Sequence, residues 1–455
     1  DLYVGIEPPG DPENWVRDGD VLDTWFSSWL WPFATMSKSD EEPSETEKRF
    51  YPTTDLVTAP EIIFFWVARM IMAGYRWRGQ LPFKNVYFTG IVRDGRGRKM
   101  SKSLGNSPDP LDIIAEYGAD ALRFAVMRTA PLGADIRFDP QVVEGRNFAN
   151  KLWNAVRYRQ MQTGEGVFDP DTLSIYSIDI LAKVDRLQID MAAAYQDYRF
   201  DELAQLLYDF FWGQNCAWYL ESSKGAFAEN ADPGIKASTL ATMDLVLKRF
   251  LVLLHPFMPH ISEELWENLG FREEGDPEFL MQTQIPETAT LDGVDAAAVE
   301  ATQAKVKAIY EAVSRARNLK AEYGLSANKG VKLIIDPGAV SGFDEADVFQ
   351  QLVGASEVAI DPGYEAEKGV PTALTDIGKI YLPLEGLIDL DAERDRLGKE
   401  LAKVEDELKK VNSKLLNENF VSRAPEAVVG EMKERQGQWQ EKSDELGRMI
   451  ASLGA

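Results

Sequence analysis

Lys99 and Lys102 stand three positions apart in the string Lys99-Met100-Ser101-Lys102-Ser103-Leu104-Gly105-Asn106. The string is rich in small and hydroxyl-bearing residues. An apolar stretch over residues 84–92, including Val86-Tyr87-Phe88-Thr89-Gly90-Ile91-Val92, precedes it and reads as a strand. A glycine-flanked loop at the carboxyl end of a strand lets backbone approach an anion closely. Two ammonium groups on it can follow phosphates as they move, which suits a triphosphate. The alternative is a solvated basic turn, the usual fate of a charge run. Two aromatic strings lie upstream: Asp20-Val21-Leu22-Asp23-Thr24-Trp25-Phe26-Ser27-Ser28, and Glu61-Ile62-Ile63-Phe64-Phe65-Trp66-Val67-Ala68-Arg69-Met70. Each aromatic run, taken alone, reads more readily as core than as pocket.

The elements that must position these residues change character along the chain. Over residues 1–112, strands near 55–58 and 84–92 flank a helix over 61–74, and another helix opens near Pro110. That order predicts part of a parallel α/β sheet, with residues 37–48 as a loop. From 113 to 290 the apolar spacing becomes helical, with Leu203, Leu206, Leu207, Phe210 and Phe211 on one face. Residues 299–323 predict a helix ahead of strand-like runs at 331–335, 357–360 and 380–384, a small α/β module. Leu397, Leu401, Val404, Leu408, Val411 and Leu415 alternate spacings of four and three. Met432, Trp439, Leu446 and Leu453 recur every seven. Two such helices with a short break at Asn417-Glu418-Asn419-Phe420 predict an antiparallel hairpin; a helical dimerisation arm is the other reading.

Composition narrows the partners. The 455 residues carry 74 acidic and 49 basic side chains, for a net charge of −25. Taken whole, that disfavours nucleic acid. Between residues 84 and 102, however, Lys84, Arg93, Arg96, Arg98, Lys99 and Lys102 face one acid, Asp94. A basic island on an acidic body is compatible with phosphate binding at one place. The lone Cys216 excludes an internal disulfide and a multi-cysteine zinc site, and it suits a reducing compartment. His255 and His260 have no cluster of ligand spacing around them, so no metal site is expected. The apolar run 62–73 is short and holds Arg69, a buried helix rather than a membrane span.

In this order the three strings resemble those of the class I aminoacyl-tRNA synthetases, and among them the valyl-tRNA synthetase family. The isoleucine enzymes typically carry Asp where this chain has Ser27, and commonly a C-terminal cysteine cluster. The resemblance continues through Gly118-Ala119-Asp120-Ala121-Leu122-Arg123, Asn147-Phe148-Ala149-Asn150-Lys151-Leu152-Trp153-Asn154, Leu254-His255-Pro256-Phe257-Met258-Pro259-His260, and Asn419-Phe420-Val421-Ser422-Arg423-Ala424-Pro425. It runs nearly end to end and is weakest between 325 and 385.

The resemblance implies a multidomain protein, α/β plus all-α. Residues 1–112 would be the second half of the catalytic domain, a partial Rossmann-like parallel sheet with the lysine loop. Residues 113–150 would be a stem-contact segment and 151–298 a helical anticodon-binding domain. Residues 299–386 would be the small α/β module and 387–455 a coiled-coil tRNA-binding arm. It also implies ATP-dependent activation of valine to valyl-adenylate and transfer to tRNA-Val in protein biosynthesis, in the cytoplasm, by a monomeric ligase. ATP would be a substrate with Mg2+, and no zinc is expected. Lys99 and Lys102 would be the catalytic residues. Lys99, Met100, Ser101, Lys102, Ser103 and Glu61 would bind ATP, and Trp25, Ile62 and Trp66 would wall the valine pocket. Ala59-Pro60-Glu61 stands where the family usually has Gly and, two positions later, Asp; Glu61 would reach the ribose through one more methylene. Arg394, Lys399, Lys403 and Lys410 are the candidate tRNA contacts of the arm, the alternative being a surface of ion pairs one turn apart. The His-x-Gly-His half-site of the family does not occur in the sequence, nor does its editing insertion. The expectation is a C-terminal portion of a ligase, inactive alone in adenylate formation. An isoleucine- or leucine-type synthetase, or a truncated non-catalytic tRNA-binding paralogue, are the rival readings.

Overall fold

The computed structural model describes residues 2–37, 42–137, 142–285, 290–291, 294–327, 330–338, 343–367, 370–384, 387, 390–417 and 426–452. It is mixed α/β and mostly helical, with small sheets. The chain divides into two compact units. Residues 1–150, 189–207 and 254–261 form the first, and residues 151–188, 208–253 and 262–455 the second.

In the first unit, α1 (Thr24–Met36) starts where the Asp23 carboxylate accepts from the Trp25 N–H at 2.8 Å. α2 (Glu45–Phe50) is a helix where the sequence suggests a loop over 37–48. Ser44 caps it by accepting from Glu47 N–H at 3.1 Å, its first turn is acidic and its last basic, and the buried Glu47 ties it down. β1 (Thr53–Thr58) and β2 (Phe83–Phe88) pair in parallel, with Asp55 opposite Asn85 and Val57 opposite Tyr87. Between them run a 3-10 turn (Pro60–Ile62), a widened π turn (Ile63–Val67) and α3 (Ala68–Arg78), which stops at Gly79 with φ 68°. Tyr198, itself at φ 56°, donates to Asp55 Oδ1 at 2.5 Å, which ties residues 189–207 to this pair of strands.

The strand expected over 84–92 is broken in two. β2 ends at Phe88, and β3 (Val92–Arg93) pairs in parallel with β4 (Ile136–Arg137) in a separate sheet. Gly90 is the reason. A Cβ there would lie 2.2 Å from the Ala134 carbonyl oxygen, an approach only glycine permits. α4 (Pro110–Tyr117) begins at Asp109 with Pro110 in its first turn, as the sequence indicates. In α5 (Ala119–Arg128), Ala121 and Ala125 pack with Val142, and Phe124 stacks on Phe148 with centroids 4.9 Å apart. Asp120 accepts from the backbone N–H of Ile261 at 2.7 Å and faces His260 Nδ1 at 2.8 Å. Arg123 donates to the Pro256 carbonyl at 2.8 Å. The conspicuous His-Pro-Phe-Met-Pro-His string is thus anchored on α5.

The remaining helices are α6 (Val142–Met161), α7 (Ile175–Gln196), α8 (Phe200–Tyr208), α9 (Leu220–Ser222), α10 (Pro233–Leu254), α11 (Pro259–Asn268) and α12 (Ala296–Glu322). In the second unit, Phe211 stacks on Phe250 at 4.6 Å, and Arg159 forks onto Asp244 at 2.8 and 2.6 Å. Cys216 is buried there, which pushes its thiol up to about 12. A four-stranded sheet follows, in the order β6 (Glu357–Ile360), β5 (Lys332–Asp336), β8 (Gly378–Tyr381), β7 (Thr372–Thr375). The first pair is parallel and the others antiparallel. β7 has no counterpart in the sequence reading; its four residues pack only at alternate positions. α13 (Ala346–Val353) lies between β5 and β6 in the chain. Its C-terminal carbonyls are met by cations from α12: Arg317 donates to Leu352 O at 2.6 Å, and Lys320 to Gly354 O at 2.9 Å.

α14 (Leu390–Leu415) and α15 (Glu426–Ser452) close the chain and pack along one another. Leu397, Val404 and Val411 are buried, as are Leu446 and Met449, while Leu401, Leu408 and Leu415 are half-buried. Gln436 donates to Asn412 at 2.6 Å, and Lys442 pairs with Glu400 at 3.5 Å, so the two helices run in opposite directions. The string 419–425 and Leu453 lie outside the described residues. Among the described residues no helix is long and apolar enough to cross a membrane.

Candidate functional site

The lysine loop is built on β3. A tight turn follows it, in which Gly97 (φ 78°) donates to Asp94 O at 2.8 Å and Asp94 N–H donates to Arg98 O at 2.9 Å. Lys99 then lies opposite Arg93, and Met100 N–H donates to Val92 O at 2.9 Å. Ser101 caps a 3-10 turn (Lys102–Leu104) that ends at Gly105, φ 60°. The loop base is tied to β4 by Arg93 Nε donating to Asp135 Oδ2 at 2.5 Å. Arg93 holds the Asp135 carboxyl below the usual carboxylate range.

Of the residues read from the sequence, the fold brings Glu61 and Lys99 together. Lys99 Nζ donates to Glu61 Oε1 at 2.7 Å, and this hydrogen bond keeps the Glu61 carboxyl below its ordinary range. Both side chains remain half exposed, at 42% for Glu61 and 58% for Lys99. Lys102 is exposed and makes no ion pair among the described residues. Met100 and Ser101 are half-buried, and Ser101 Oγ lies 3.2 Å from Ser103 Oγ. Among the described residues, then, one lysine is latched and the other has no ion-pair partner.

Trp25 sits in the first turn of α1, with the Arg69 guanidinium against its ring. Ile62 and Trp66 lie half-buried on the 3-10 and π turns that follow β1. None of the three lines the apolar cavity of about 910 Å³ that runs beside β1. Trp29, Trp31, Phe33, Phe50, Leu56 and Met70 line that cavity. On the arm, Lys410 is committed to Asp406 at 2.8 Å and Glu407 at 2.7 Å, and Arg396 to Glu400 at 3.3 Å. Lys399 and Lys403, one helical turn apart and both exposed, make no ion pair among the described residues. Arg394 is half-buried.

Sequence reasoning missed the groups that hold the loop. Asp94 is 9% exposed and accepts from Arg96 N–H, Arg98 N–H, Arg98 Nε and Asn106 Nδ2. Those bonds, Asn106 foremost, keep its carboxyl far below the usual carboxylate range. The available signal was its position as the lone acid within the basic island. Among the described residues no group of three or more His, Cys, Asp or Glu is placed to hold a metal ion.

Three stretches of the chain match known protein families. Residues 10–139 match the model of class I tRNA synthetases (I, L, M and V). Residues 178–335 match the anticodon-binding domain of tRNA ligase, and residues 389–454 match the valyl tRNA synthetase tRNA binding arm. The valine–tRNA ligase of Staphylococcus carnosus is 39% identical over 465 residues, covering 100% of this chain and 52% of that protein. That of Bacillus subtilis is 38% identical over 463 residues, covering 100% and 51%. A solved ternary complex of an Agrobacterium radiobacter LeuRS is similar over 60% of this chain and 34% of that one, at 21% identity and TM-score 0.47. The chain spans about half the length of the curated relatives it matches. It belongs to the class I aminoacyl-tRNA synthetases, in the valine–tRNA ligase family, and matches the C-terminal part of that family's members.

Proposed function

We propose that this chain supplies the phosphate-handling loop and the tRNA-binding domains of a valine–tRNA ligase. The observation that carries the reading is the lysine loop: its backbone is fixed on both sides while its two ammonium groups stay at the surface, one latched to Glu61 and one without an ion pair among the described residues. In the reaction an oxygen of the valine carboxylate attacks the α-phosphorus of ATP. The bond to the bridging oxygen breaks, and pyrophosphate leaves with its electron pair. This chain offers no nucleophile there and needs none; positioning and charge stabilisation are its contribution. Lys99 and Lys102 act on the departing pyrophosphate, with Mg2+ arriving as part of the ATP substrate. Lys99 must exchange Glu61 for phosphate, and the released Glu61 can then accept from the ribose hydroxyls. Trp25, Ile62 and Trp66 form the side-chain walls for valine.

The finer architecture is part of the same proposal. The parallel pair of β1 and β2 is half of a Rossmann-like sheet; in support, β1 is paired on one edge only among the described residues. Residues 113–150 form the stem-contact segment, 151–298 the anticodon-binding domain, 299–386 the small α/β module and 387–455 a coiled-coil arm. Because the arm satisfies its own seam, a monomer working in the cytoplasm is the reading we adopt. On the arm, Lys399 and Lys403 are the phosphate contacts.

The sequence contains only two histidines, His255 and His260, and no His-x-Gly-His string. The isolated chain therefore does not form valyl-adenylate at a useful rate. The test is valine-dependent pyrophosphate exchange. It should be absent from this chain and present in a protein that joins it to the upstream half of a family member. There, Lys102→Ala should lower the exchange rate strongly and leave tRNA binding nearly intact. Exchange that prefers isoleucine or leucine, or that survives Lys102→Ala unchanged, overturns the reading.

A further inference from the structure

We propose that Asp94 and Asn106 are positioning residues that clasp the lysine loop at its two ends, so that Lys99 and Lys102 are presented to phosphate before any ligand arrives. The inference rests on the phosphate reading of the two lysines and adds the groups that hold them.

Asp94 leaves β3 and Asn106 follows Gly105, twelve residues later, yet Asn106 Nδ2 donates to Asp94 Oδ2 at 3.0 Å. The same amide nitrogen donates to Lys99 O at 3.3 Å, and its oxygen accepts from Ser101 N–H at 3.0 Å. One Asn side chain thus addresses the backbone on either side of Met100, much as a neighbouring strand would. The other side of that segment is held by Met100 N–H on Val92 O at 2.9 Å. Residues 99–101 are therefore fixed from both flanks, and Lys102 leaves from a turn whose first residue, Ser101, is already placed.

The residue types are those this job requires. Position 106 must donate twice and accept once across a short reach, which an amide does and a carboxylate does not. Position 94 must accept from several donors at once, which a carboxylate does best. Asp94 takes the Arg98 guanidinium at 2.9 Å and two backbone N–H groups. Its charge is thereby answered inside the clasp and does not compete with phosphate for Lys99 or Lys102. The loop's ordering entropy is spent on folding rather than on binding.

The test uses the full chain with inorganic tripolyphosphate as the probe. Two quantities are read: hydrogen–deuterium exchange over residues 99–104, and tripolyphosphate affinity by calorimetry. Asn106→Ala should raise exchange at Ser101 and weaken tripolyphosphate binding, each by about tenfold, the worth of a bond to a charged network. Exchange in β2 should stay as it was. Asn106→Asp alone sets two carboxylates against each other and should do the same. Adding Asp94→Asn to Asn106→Asp restores the donor–acceptor pair between the two positions and keeps the Ser101 acceptor, but not the bond to Lys99 O, and should recover part of the protection at Ser101 and part of the affinity. A generally damaged loop would not be rescued. Unchanged exchange in Asn106→Ala overturns the clasp. Faster exchange with unaltered tripolyphosphate affinity overturns the positioning role. If the wild-type chain shows no tripolyphosphate binding that Lys102→Ala abolishes, the phosphate reading of the lysines falls and presentation falls with it. The exchange data alone then report whether the clasp exists.

Discussion

Removing the Glu47 carboxylate should unlock the foundation of the first unit. Glu47 and Arg78 join α2 to α3. Arg78 Nε lies 2.5 Å from Oε1 and Nη2 lies 3.1 Å from Oε2, with the two side chains 9% and 2% exposed. Ser37 Oγ donates to the same carboxylate. Glu47→Ala leaves a guanidinium buried with its main partner gone, at a cost of about 3–5 kcal/mol. A domain of this kind has roughly 5–15 kcal/mol in all. Glu47→Gln keeps an acceptor and should lose about 1–3 kcal/mol. Glu47→Leu with Arg78→Met removes both charges and should cost clearly less than Glu47→Ala, because no ion is stranded.

The two units need not unfold together, so the assay must be local: the opening free energy of α3 amides by hydrogen exchange. The pH dependence has a definite sign. The Arg78 hydrogen bond holds the Glu47 carboxyl below its ordinary 4.5. The contribution is therefore complete above that value and fades as pH falls through the lower, folded value. A Glu47→Ala effect under about 1 kcal/mol, or a double replacement as costly as the single one, would show that the pair does not hold these helices together.

Three further outcomes are expected. Glu61→Gln releases the Lys99 latch and should tighten tripolyphosphate binding a few-fold, the scale of an exposed pair; weaker binding would mean that Glu61 helps rather than competes. Lys399→Gln with Lys403→Gln should weaken tRNA binding and lower its dependence on log salt by roughly 1–2 units. Lys410→Gln should do less, because Asp406 and Glu407 already hold that ammonium; equal effects in a filter-binding titration would remove the distinction. Gly90→Ala drives a methyl into the Ala134 carbonyl. It should speed exchange in β3 and in the lysine loop by tenfold or more while β1 and β2 stay protected, a loss of about 1–3 kcal/mol; uniform protection would show that the crossing at Gly90 has room.

Much of the fold was legible because its signals are local. Pro110 after Asp109, the helical spacing of Leu203 to Phe211, and the recurrence from Leu397 to Leu415 each state an element without reference to anything distant. Asp55–Thr58 was legible as a strand, though β1 begins two residues earlier, at Thr53. The same reading lost α2, whose polar residues resemble a loop until Glu47 meets Arg78, 31 positions away. It ran residues 84–92 together as one strand, because the collision that breaks it at Gly90 comes from Ala134.

The site divides along the same line. Sequence alone nominated the side chains for the chemistry: Lys99 and Lys102 by type and spacing, and Glu61, Trp25, Ile62 and Trp66 through the resemblance of the strings they stand in. Tertiary structure alone decided what those groups are doing. It showed that Glu61 holds Lys99, that Lys410 is paired on its own helix while Lys102, Lys399 and Lys403 make no ion pair among the described residues, and that Asn106 bonds Asp94 across the loop. The physical reason is reach. Charge and periodicity are properties of neighbours in the chain, whereas a hydrogen bond of 2.7 Å between residues 38 positions apart exists only once β1 and the loop have been folded to the same place.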